Sequence, residues 1–160
     1  MMKTAIFLLV FLGVATPVAA ERQVVGIFSQ WGAFQEKGRC FAIARPDRGA
    51  GGSEAEAFAS VGYRTERKAG GEVHFRVGRD MRTGSAILLR IDDDTFQLVG
   101  AGADAWAPDA RADAAIVAAM RQGIGMSIES RSTSGGLIRE AYRLRGAATA
   151  IDAAAIACAR

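Results

Sequence analysis

The fold is decided by the stretch SAILLRIDDDTFQLV, residues 85–99. Apolar side chains occupy every second position on each side of three consecutive aspartates, namely Ile87, Leu89, Ile91, Phe96 and Leu98. Because successive side chains of a strand point to opposite faces, each half of the stretch predicts a strand with one buried face. The run Asp92-Asp93-Asp94 between the halves predicts a turn, so the whole stretch predicts a β-hairpin.

The same two-residue period recurs along most of the chain. It predicts further strands over Trp31–Phe34, Arg39–Arg45, Ser60–Glu66, Glu72–Val77, Met126–Glu129 and Leu137–Arg145. Turns are predicted at Lys37-Gly38 and at Ser134-Gly135-Gly136, where glycine permits the sharp change of direction. The glycine-rich stretch Pro46–Ala57 is too poor in large apolar side chains to pack as an element, and it predicts a loop.

A helical period replaces the strand period in Asp109–Gln122. The aspartate stands where a helix N-cap is expected, after Pro108. Apolar side chains then recur on one helical face, at Ile116, Val117 and Met120. Gly123 follows at the position of a left-handed C-cap, so the helix is predicted to end there.

A second helix is predicted at the end of the chain, over Ala147–Ala159. It places Ile151, Ala155 and Cys158 on one stripe. Together these patterns predict a mostly β protein, an antiparallel β-sandwich or jelly-roll-like domain with one internal helix and a C-terminal helix.

Residues 1–20 predict a secretory signal peptide. Lys3 provides the positive start, residues 5–14 form an apolar core, and Val18-Ala19-Ala20 is a small-residue cleavage site. The apolar core is about ten residues long, whereas a membrane-spanning helix needs roughly 20, although an uncleaved anchor is the alternative. Cleavage near Ala20 would leave residues 21–160 as a single domain that is periplasmic or secreted.

The sequence has two cysteines, Cys40 and Cys158, and both follow the predicted cleavage site. In an oxidising compartment such a pair predicts one structural disulfide. Cys40 shares a strand face with Ala42 and Ala44, whose small side chains would let the C-terminal helix lie close. The alternative is two free thiols for metal or redox chemistry, but the sequence has neither a CxxC spacing nor a nearby histidine to support it.

The residues that could act in catalysis or bind a metal or ligand are interpreted as structural or surface residues. The single histidine, His74, occupies an outward position of a strand, and its spacing to other residues indicates neither a nucleophile triad nor a zinc site. The run Asp92-Asp93-Asp94 lacks the staggered ligands of a calcium loop. Trp31 and Trp106 are interpreted as packing residues rather than ligand platforms. The sequence therefore predicts no catalytic residue, no metal site and no cofactor.

Arginines near the end of the chain predict a binding surface. Arg139, Arg143 and Arg145 fall on one face of the last strand, and Arg131 on the neighbouring strand projects in the same sense. A basic stripe of this kind would attract an acidic polysaccharide, lipopolysaccharide phosphates or an acidic protein surface. The alternative is a solvated face balanced by Glu129 and other acids. The formal net charge of +3 is too small to favour nucleic acid as a partner.

Several segments together carry a family resemblance. They are Trp31, Gly38–Ala42, Asp104–Trp106 with the helix Asp113–Gly123, Tyr142–Gly146, Ala150–Asp152 and Ala157-Cys158. In these segments the chain resembles the invasion-associated locus B family of exported alphaproteobacterial proteins. It departs from the family pattern in the glycine-rich stretch 46–57 and at Ala147-Ala148, where a larger apolar residue is usual.

The resemblance implies a mostly β, periplasmic or surface-associated protein without enzymatic chemistry. We therefore expect a noncatalytic envelope or interaction protein whose partner is an envelope or host protein, or an anionic polysaccharide. Contact with a membrane is expected only by peripheral association. The alternative is a cryptic envelope hydrolase or an enzyme-inhibitor-like domain, which would need a concave pocket with converging acids or with His74 at its lip.

Overall fold

The computed structural model describes residues 22–47, 57–66 and 70–159. The predicted signal peptide, residues 1–20, and most of the predicted loop Pro46–Ala57 lie outside these ranges. Within them the chain is mostly antiparallel β-sheet with one internal and one C-terminal helix, which confirms the predicted fold class. No helix in the described ranges is long and apolar enough to cross a bilayer.

The described elements are ten strands and two helices. Their bounds are Gln23–Phe28 (β1), Trp31–Glu36 (β2), Arg39–Ala44 (β3), Phe58–Arg64 (β4), Glu72–Arg76 (β5), Ile87–Ile91 (β6), Asp94–Ala101 (β7), Asp104–Trp106 (β8), Ala110–Gln122 (α1), Gly125–Arg131 (β9), Leu137–Arg143 (β10) and Ala147–Ala159 (α2). Each predicted strand and helix is present, with both ends within two residues of the predicted bounds. Strands β1 and β8 are additional, because the sequence pattern does not predict them.

All ten strands hydrogen bond into one antiparallel sheet, in the order β1-β2-β3-β4-β5-β8-β7-β6-β9-β10. The hairpins predicted at Lys37-Gly38, at the aspartate run and at Ser134–Gly136 are present as β2–β3, β6–β7 and β9–β10. Two pairings join strands that are distant in sequence, β5 with β8 and β6 with β9. The two layers expected of a sandwich or jelly roll are therefore two parts of one continuous sheet.

The sheet curls until its first strands meet its last strand. Trp31, at the start of β2, donates its indole N–H to the carbonyl oxygen of Arg143, at the end of β10, over 2.9 Å. Just beyond β3, the backbone N–H of Asp47 donates to the carbonyl oxygen of Ala141 over 2.7 Å. The curled sheet encloses a single apolar core, to which both helices contribute buried side chains.

The C-terminal helix α2 packs against β2 and β3 on the inner face of the sheet. The strands present small side chains there, and Ala33 and Ala42 are fully buried. The buried stripe of the helix consists of Ala147, Ala150, Ile151, Ala154 and Cys158. The prediction that Ala155 belongs to this stripe is wrong, because Ala155 is only half-buried. The residues that face the sheet follow each other at intervals of three and four positions, from Ile151 to Ala154 and from Ala154 to Cys158.

The disulfide between Cys40 and Cys158 joins β3 to the last turn of α2. The two Cα atoms are 5.6 Å apart, within the range that a disulfide spans. The predicted pairing is therefore confirmed, and the bond closes a loop between residues 118 positions apart. Because the loop is long, the bond removes much of the conformational freedom of the unfolded chain.

The internal helix α1 is fixed at its N-terminus by two aspartates. Asp109 is the N-cap and accepts a hydrogen bond from the N–H of Ala112 over 2.8 Å. Asp113 accepts one from the N–H of Val73 over 2.8 Å, at a point of β5 that the short β8 does not reach. Burial raises the pKa of Asp113, against the lowering effect of this hydrogen bond.

Gly123 ends α1 without the predicted left-handed cap. Its φ is −76°, and its N–H donates to the carbonyl oxygen of Ala119. A Cβ at this position would lie 2.9 Å from side-chain carbons of both Ile91 and Leu144. Glycine is therefore favoured here by close packing rather than by backbone conformation.

Loss of the disulfide is expected to destabilise the fold. Replacing both cysteines, Cys40→Ser with Cys158→Ser, should lower the free energy of unfolding by about 2–5 kcal/mol, because the unfolded chain regains the freedom of a long loop. Urea unfolding followed by circular dichroism measures the change. The parent protein in reducing agent should unfold like the variant. An unchanged midpoint and slope for the variant would contradict this prediction.

Alanine substitutions at two glycines would distinguish the cost of backbone strain from the cost of a steric clash. Gly146 has φ +90°, and a Cβ there would collide with the backbone carbonyl oxygen of Phe28, whereas Gly135 has φ +88° with nothing within 4 Å. Gly135→Ala should cost about 1–2 kcal/mol of unfolding free energy from the left-handed conformation alone. Gly146→Ala should cost clearly more, because β1 must also move. Equal losses in thermal unfolding would show that β1 does not approach the end of β10 this closely.

Candidate functional site

The outer face of the sheet, which points away from the core and the helices, carries the candidate site. A row of side chains crosses this face on seven adjacent strands, each directly opposite the next: Ile27, Gly32, Ile43, Ser60, His74, Trp106 and Val99. Ile27, Val99 and Trp106 remain 63%, 52% and 42% exposed. Apolar side chains that are neighbours on a surface, rather than scattered singly, are typical of interaction sites.

A groove of about 450 Å³ lies in the middle of this row, above β4. Its floor is formed by Ser60 and Gly62, the two smallest outward residues of β4. Phe41 and Ile43 of β3 form one wall, and His74 of β5 forms the other. The groove exists because small residues on one strand lie between larger ones on its two neighbours.

Three contacts fix the His74 ring in the wall of the groove. Trp106 stacks on it, with ring planes 5° apart and centroids separated by 5.1 Å. Phe58 meets it edge-on, also with a centroid distance of 5.1 Å. His74 Nε2 lies 2.9 Å from Asp104 Oδ1, and the other oxygen of Asp104 accepts a hydrogen bond from Arg76 over 2.7 Å. The imidazole is therefore oriented before any ligand arrives.

Arginine and glutamate side chains surround one end of the groove. Glu36 lies between Arg22 and Arg39, with N···O distances of 2.8 and 2.6 Å. Hydrogen bonds from these two arginines hold the pKa of Glu36 below its usual value. Both guanidinium groups also lie over the Phe41 ring, 5.6 and 5.3 Å from its centroid.

Arg64 and Glu72 complete this end of the groove, and they form a longer ion pair of 3.7 Å. Among the described ion pairs, three arginines therefore surround this end with two glutamates, which leaves one positive charge in excess.

The four arginines predicted to bind a partner are all exposed on the opposite part of the sheet. Arg139 and Arg143 project from the outer face of β10. Arg131 projects from the same face of β9, because it pairs with the exposed Leu137, and Arg145 lies two residues beyond β10. They do not form one cluster but follow the strand for roughly 25 Å at 3.3 Å per residue.

Carboxylates balance part of this stripe. Glu129 lies 3.3 Å from Arg139 and 3.7 Å from Arg90, and Asp47 lies 3.2 Å from Arg143. Arg131 and Arg145 have no ion-pair partner among the described residues. The predicted alternative, a face balanced by Glu129 and other acids, therefore holds for the middle of the stripe and not for its ends.

A larger depression of about 1180 Å³ connects the groove to the stripe. Arg22, Ile43 and Phe58 line both the depression and the groove. Arg143, from the stripe, lines the depression as well. The depression therefore borders both charged regions of the outer face.

The two tryptophans have different environments. Trp31 is fully buried, which confirms its interpretation as a packing residue. Trp106 is 42% exposed on the outer face and stacks on His74, which itself lines the groove, so its interpretation as a packing residue alone is incomplete. Its exposure depends on the pairing of β5 with β8, which joins positions about 30 residues apart and leaves no local signal in the sequence.

The aspartate run forms the turn of the β6–β7 hairpin, as predicted. Asp92 accepts hydrogen bonds from the backbone N–H groups of Ile124 and Gly125, at 3.0 and 3.1 Å. Its carboxylate is thus occupied in holding the start of β9. Within the described ranges, no group of three or more histidine, cysteine, aspartate and glutamate side chains lies close enough together to hold a metal ion.

Ser60, His74 and Asp104 lie side by side on the outer face, but they do not form a nucleophile and base pair. The Ser60 hydroxyl donates to the backbone carbonyl oxygen of His74 over 3.3 Å, while the ring turns its Nε2 toward Asp104. Acyl transfer also needs backbone N–H groups that point at the substrate. In β4 and β5 these groups lie within the strand ladders and not on the outer face.

The walls and floor of the groove are the part of the site that sequence reasoning missed. One signal was present: Cys40–Ala44 of β3 is apolar at every position, so its outward residues Phe41 and Ile43 break the alternation expected of a half-buried strand. No family model, curated protein or solved structure matches the chain. The resemblance to the invasion-associated locus B family stays a prediction.

The exposure of Trp106 gives a direct spectroscopic prediction. Acrylamide should quench part of the tryptophan fluorescence of the parent protein, and Trp106→Phe should remove most of that part, because the remaining Trp31 is fully buried. Trp31→Phe is the converse control, which should keep the quenchable emission. Quenching of Trp106→Phe as strong as that of the parent would show that Trp106 is not at the surface.

Proposed function

We propose that the protein is a noncatalytic, exported protein of the cell envelope that binds an anionic partner through the outer face of its sheet. The observation that carries the proposal is the excess of exposed arginine on that face. Five arginines, Arg90, Arg131, Arg139, Arg143 and Arg145, lie on the β6–β9–β10 part and pair with only two described carboxylates.

Side chains on an outer sheet face point away from the core, so the core does not require them to be basic. Exposed ion pairs contribute only about 0–1 kcal/mol each to stability. A surplus of one sign of charge instead attracts ligands of the opposite sign and speeds their association. An envelope or host protein with an acidic surface, or an anionic polysaccharide, has the chemistry that this face would bind.

Export is supported by the disulfide and by the predicted signal peptide. A disulfide that joins the first part of the sheet to the last helix forms and persists in an oxidising compartment. The periplasm or the cell exterior provides such conditions, and the resemblance to the invasion-associated locus B family points to the same location. Contact with a membrane would then be peripheral, through anionic headgroups.

A cryptic envelope hydrolase is the second candidate, since His74 lines a concave groove beside Asp104 and Ser60. The orientation of the Ser60 hydroxyl toward a backbone carbonyl weighs against it. A serine hydrolase of this kind would release p-nitrophenol from p-nitrophenyl acetate and would lose that activity in Ser60→Ala.

The arginines at the two ends of the stripe test the proposed function. Arg131→Ser with Arg145→Ser should weaken binding to an immobilised acidic polysaccharide such as polygalacturonate about tenfold, which corresponds to roughly 1.4 kcal/mol. The matched control is Arg111→Ser with Arg121→Ser, which removes two exposed cations of helix α1, away from both the stripe and the groove. Surface plasmon resonance at two salt concentrations measures both.

Binding should also weaken with salt, because exposed charges are screened. Equal losses in the two double variants would show that net charge alone matters and would contradict a site on β9–β10. If the parent binds an acidic envelope protein but not the polysaccharide, the partner is of the protein class.

A further inference from the structure

We infer that the groove above Ser60 and Gly62 binds one hexuronic acid ring, that is, a pyranose that carries a carboxylate. The inference rests on the proposed function in one respect, because such a ring is a unit of an anionic polysaccharide. It goes beyond the proposed function in assigning a second site, on β3, β4 and β5, and the chemical class of its ligand.

The width of the groove is that of one saturated ring. The walls stand on β3 and β5, which are two strand spacings apart, about 9.5 Å. Side chains on each wall take up about 1.8 Å of this, half of a normal carbon–carbon contact distance, so about 6 Å remains. The floor residues leave this space open, because Gly62 has no side chain and Ser60 has only a hydroxymethyl group.

The groove is longer than one ring. Phe58 and Arg64 project from the same face of β4 at its two ends, with Ser60 and Gly62 between them. Arg64 lies six positions after Phe58, which is about 20 Å at 3.3 Å per residue. The hexuronic acid ring therefore lies above Ser60 and Gly62 with room for a neighbouring unit of the same chain.

The walls suit a sugar ring because they combine apolar and polar surface. Ile43 and the fixed His74 ring face each other across Ser60, and they offer flat apolar surface to the C–H groups of a pyranose. The Ser60 hydroxyl and the side chains of Arg64 and Glu72 offer hydrogen-bond donors and acceptors to the ring hydroxyls. Because His74 is already held by Trp106 and Asp104, binding need not order it.

The net positive charge at one end of the groove favours a sugar ring that carries a carboxylate over a neutral one. Arg22, Arg39 and Arg64 surround one end, and Glu36 and Glu72 neutralise two of the three charges. The remaining positive charge matches one carboxylate, which a guanidinium group binds through two parallel hydrogen bonds. A neutral hexose would leave this charge without a partner.

The test uses single-ring probes, which are too short to reach the β9–β10 stripe. Methyl glucuronide and methyl galacturonide should shift the amide resonance of Gly62 and the indole resonance of Trp106 in NMR titrations. The corresponding neutral methyl glycosides should bind about tenfold more weakly, because they lack the carboxylate. Arg64→Gln should reduce uronide binding to about the level of the neutral glycosides.

Gly62→Val is the decisive variant, because it fills the groove without disturbing the fold. A Cβ on Gly62 would meet nothing closer than the carbonyl oxygen of Glu72 at 3.9 Å, and valine is favoured in strands. Uronide binding should fall about tenfold or more, with an unchanged melting temperature. Gly125→Val is the matched control, since Gly125 is an outward strand glycine far from the groove whose Cβ would meet only the carbonyl oxygen of Tyr142 at 3.7 Å.

Three results would overturn the inference. The first is that Gly62→Val binds uronides as tightly as the parent does, and the second is that neutral glycosides bind as tightly as uronides. The third is that benzoate displaces a bound uronide as well as another uronide does, which would indicate a general site for apolar acids. If uronides fail to bind while polygalacturonate still depends on Arg131 and Arg145, the inference fails and the proposed function stands. If uronides bind but the loss of Arg131 and Arg145 leaves polygalacturonate binding unchanged, the proposed function fails and the inference stands.

Discussion

The contact between helix α2 and the small side chains of β2 and β3 is the constraint on which the rest of the structure depends. Ala33 and Ala42 let the helix lie directly on the sheet, and the Cys40–Cys158 bond keeps it there. With α2 and the buried side chains of α1 packed against it, the inner face is occupied by the core. Ligands can therefore meet the sheet only on its outer face, where the groove and the arginine stripe are found.

The sequence predicts those parts of the fold whose signals are local. Alternation identifies eight of the strands because each buries one face, and the three tight hairpins follow from the turn residues between them. Strand β1 is not predicted because its apolar residues Val24, Val25 and Ile27 are all exposed, so they show no two-residue period. A bulge also interrupts its pairing with β2. Strand β8 is not predicted because its three residues are too few to show a two-residue period. The predicted disulfide succeeds because two cysteines allow only one intramolecular pairing.

The candidate site depends on pairings that alternation does not reveal. The arginine stripe lies on one strand and its hairpin partner, so its exposure follows from the sequence. The groove needs β3, β4, β5 and β8 to be adjacent, and only then do Ile43, Ser60, His74 and Trp106 form one row. Strand neighbours at long sequence separation are selected by the packing of the whole core. This is why His74, which the sequence correctly places outward, gave no indication of its stacking partner.

The two regions of the outer face differ in what they can discriminate. In the proposed function, the exposed guanidinium groups of the stripe would attract negative charge with little regard to shape. The groove is narrow and its His74 wall is held from three sides, so the proposed uronide site would select by size. Since Arg22, Ile43 and Phe58 line both the groove and the depression that reaches Arg143, one chain could occupy both regions at once. Joining a selective weak site to a nonselective one raises the apparent affinity through effective concentration, without requiring either site to bind tightly alone.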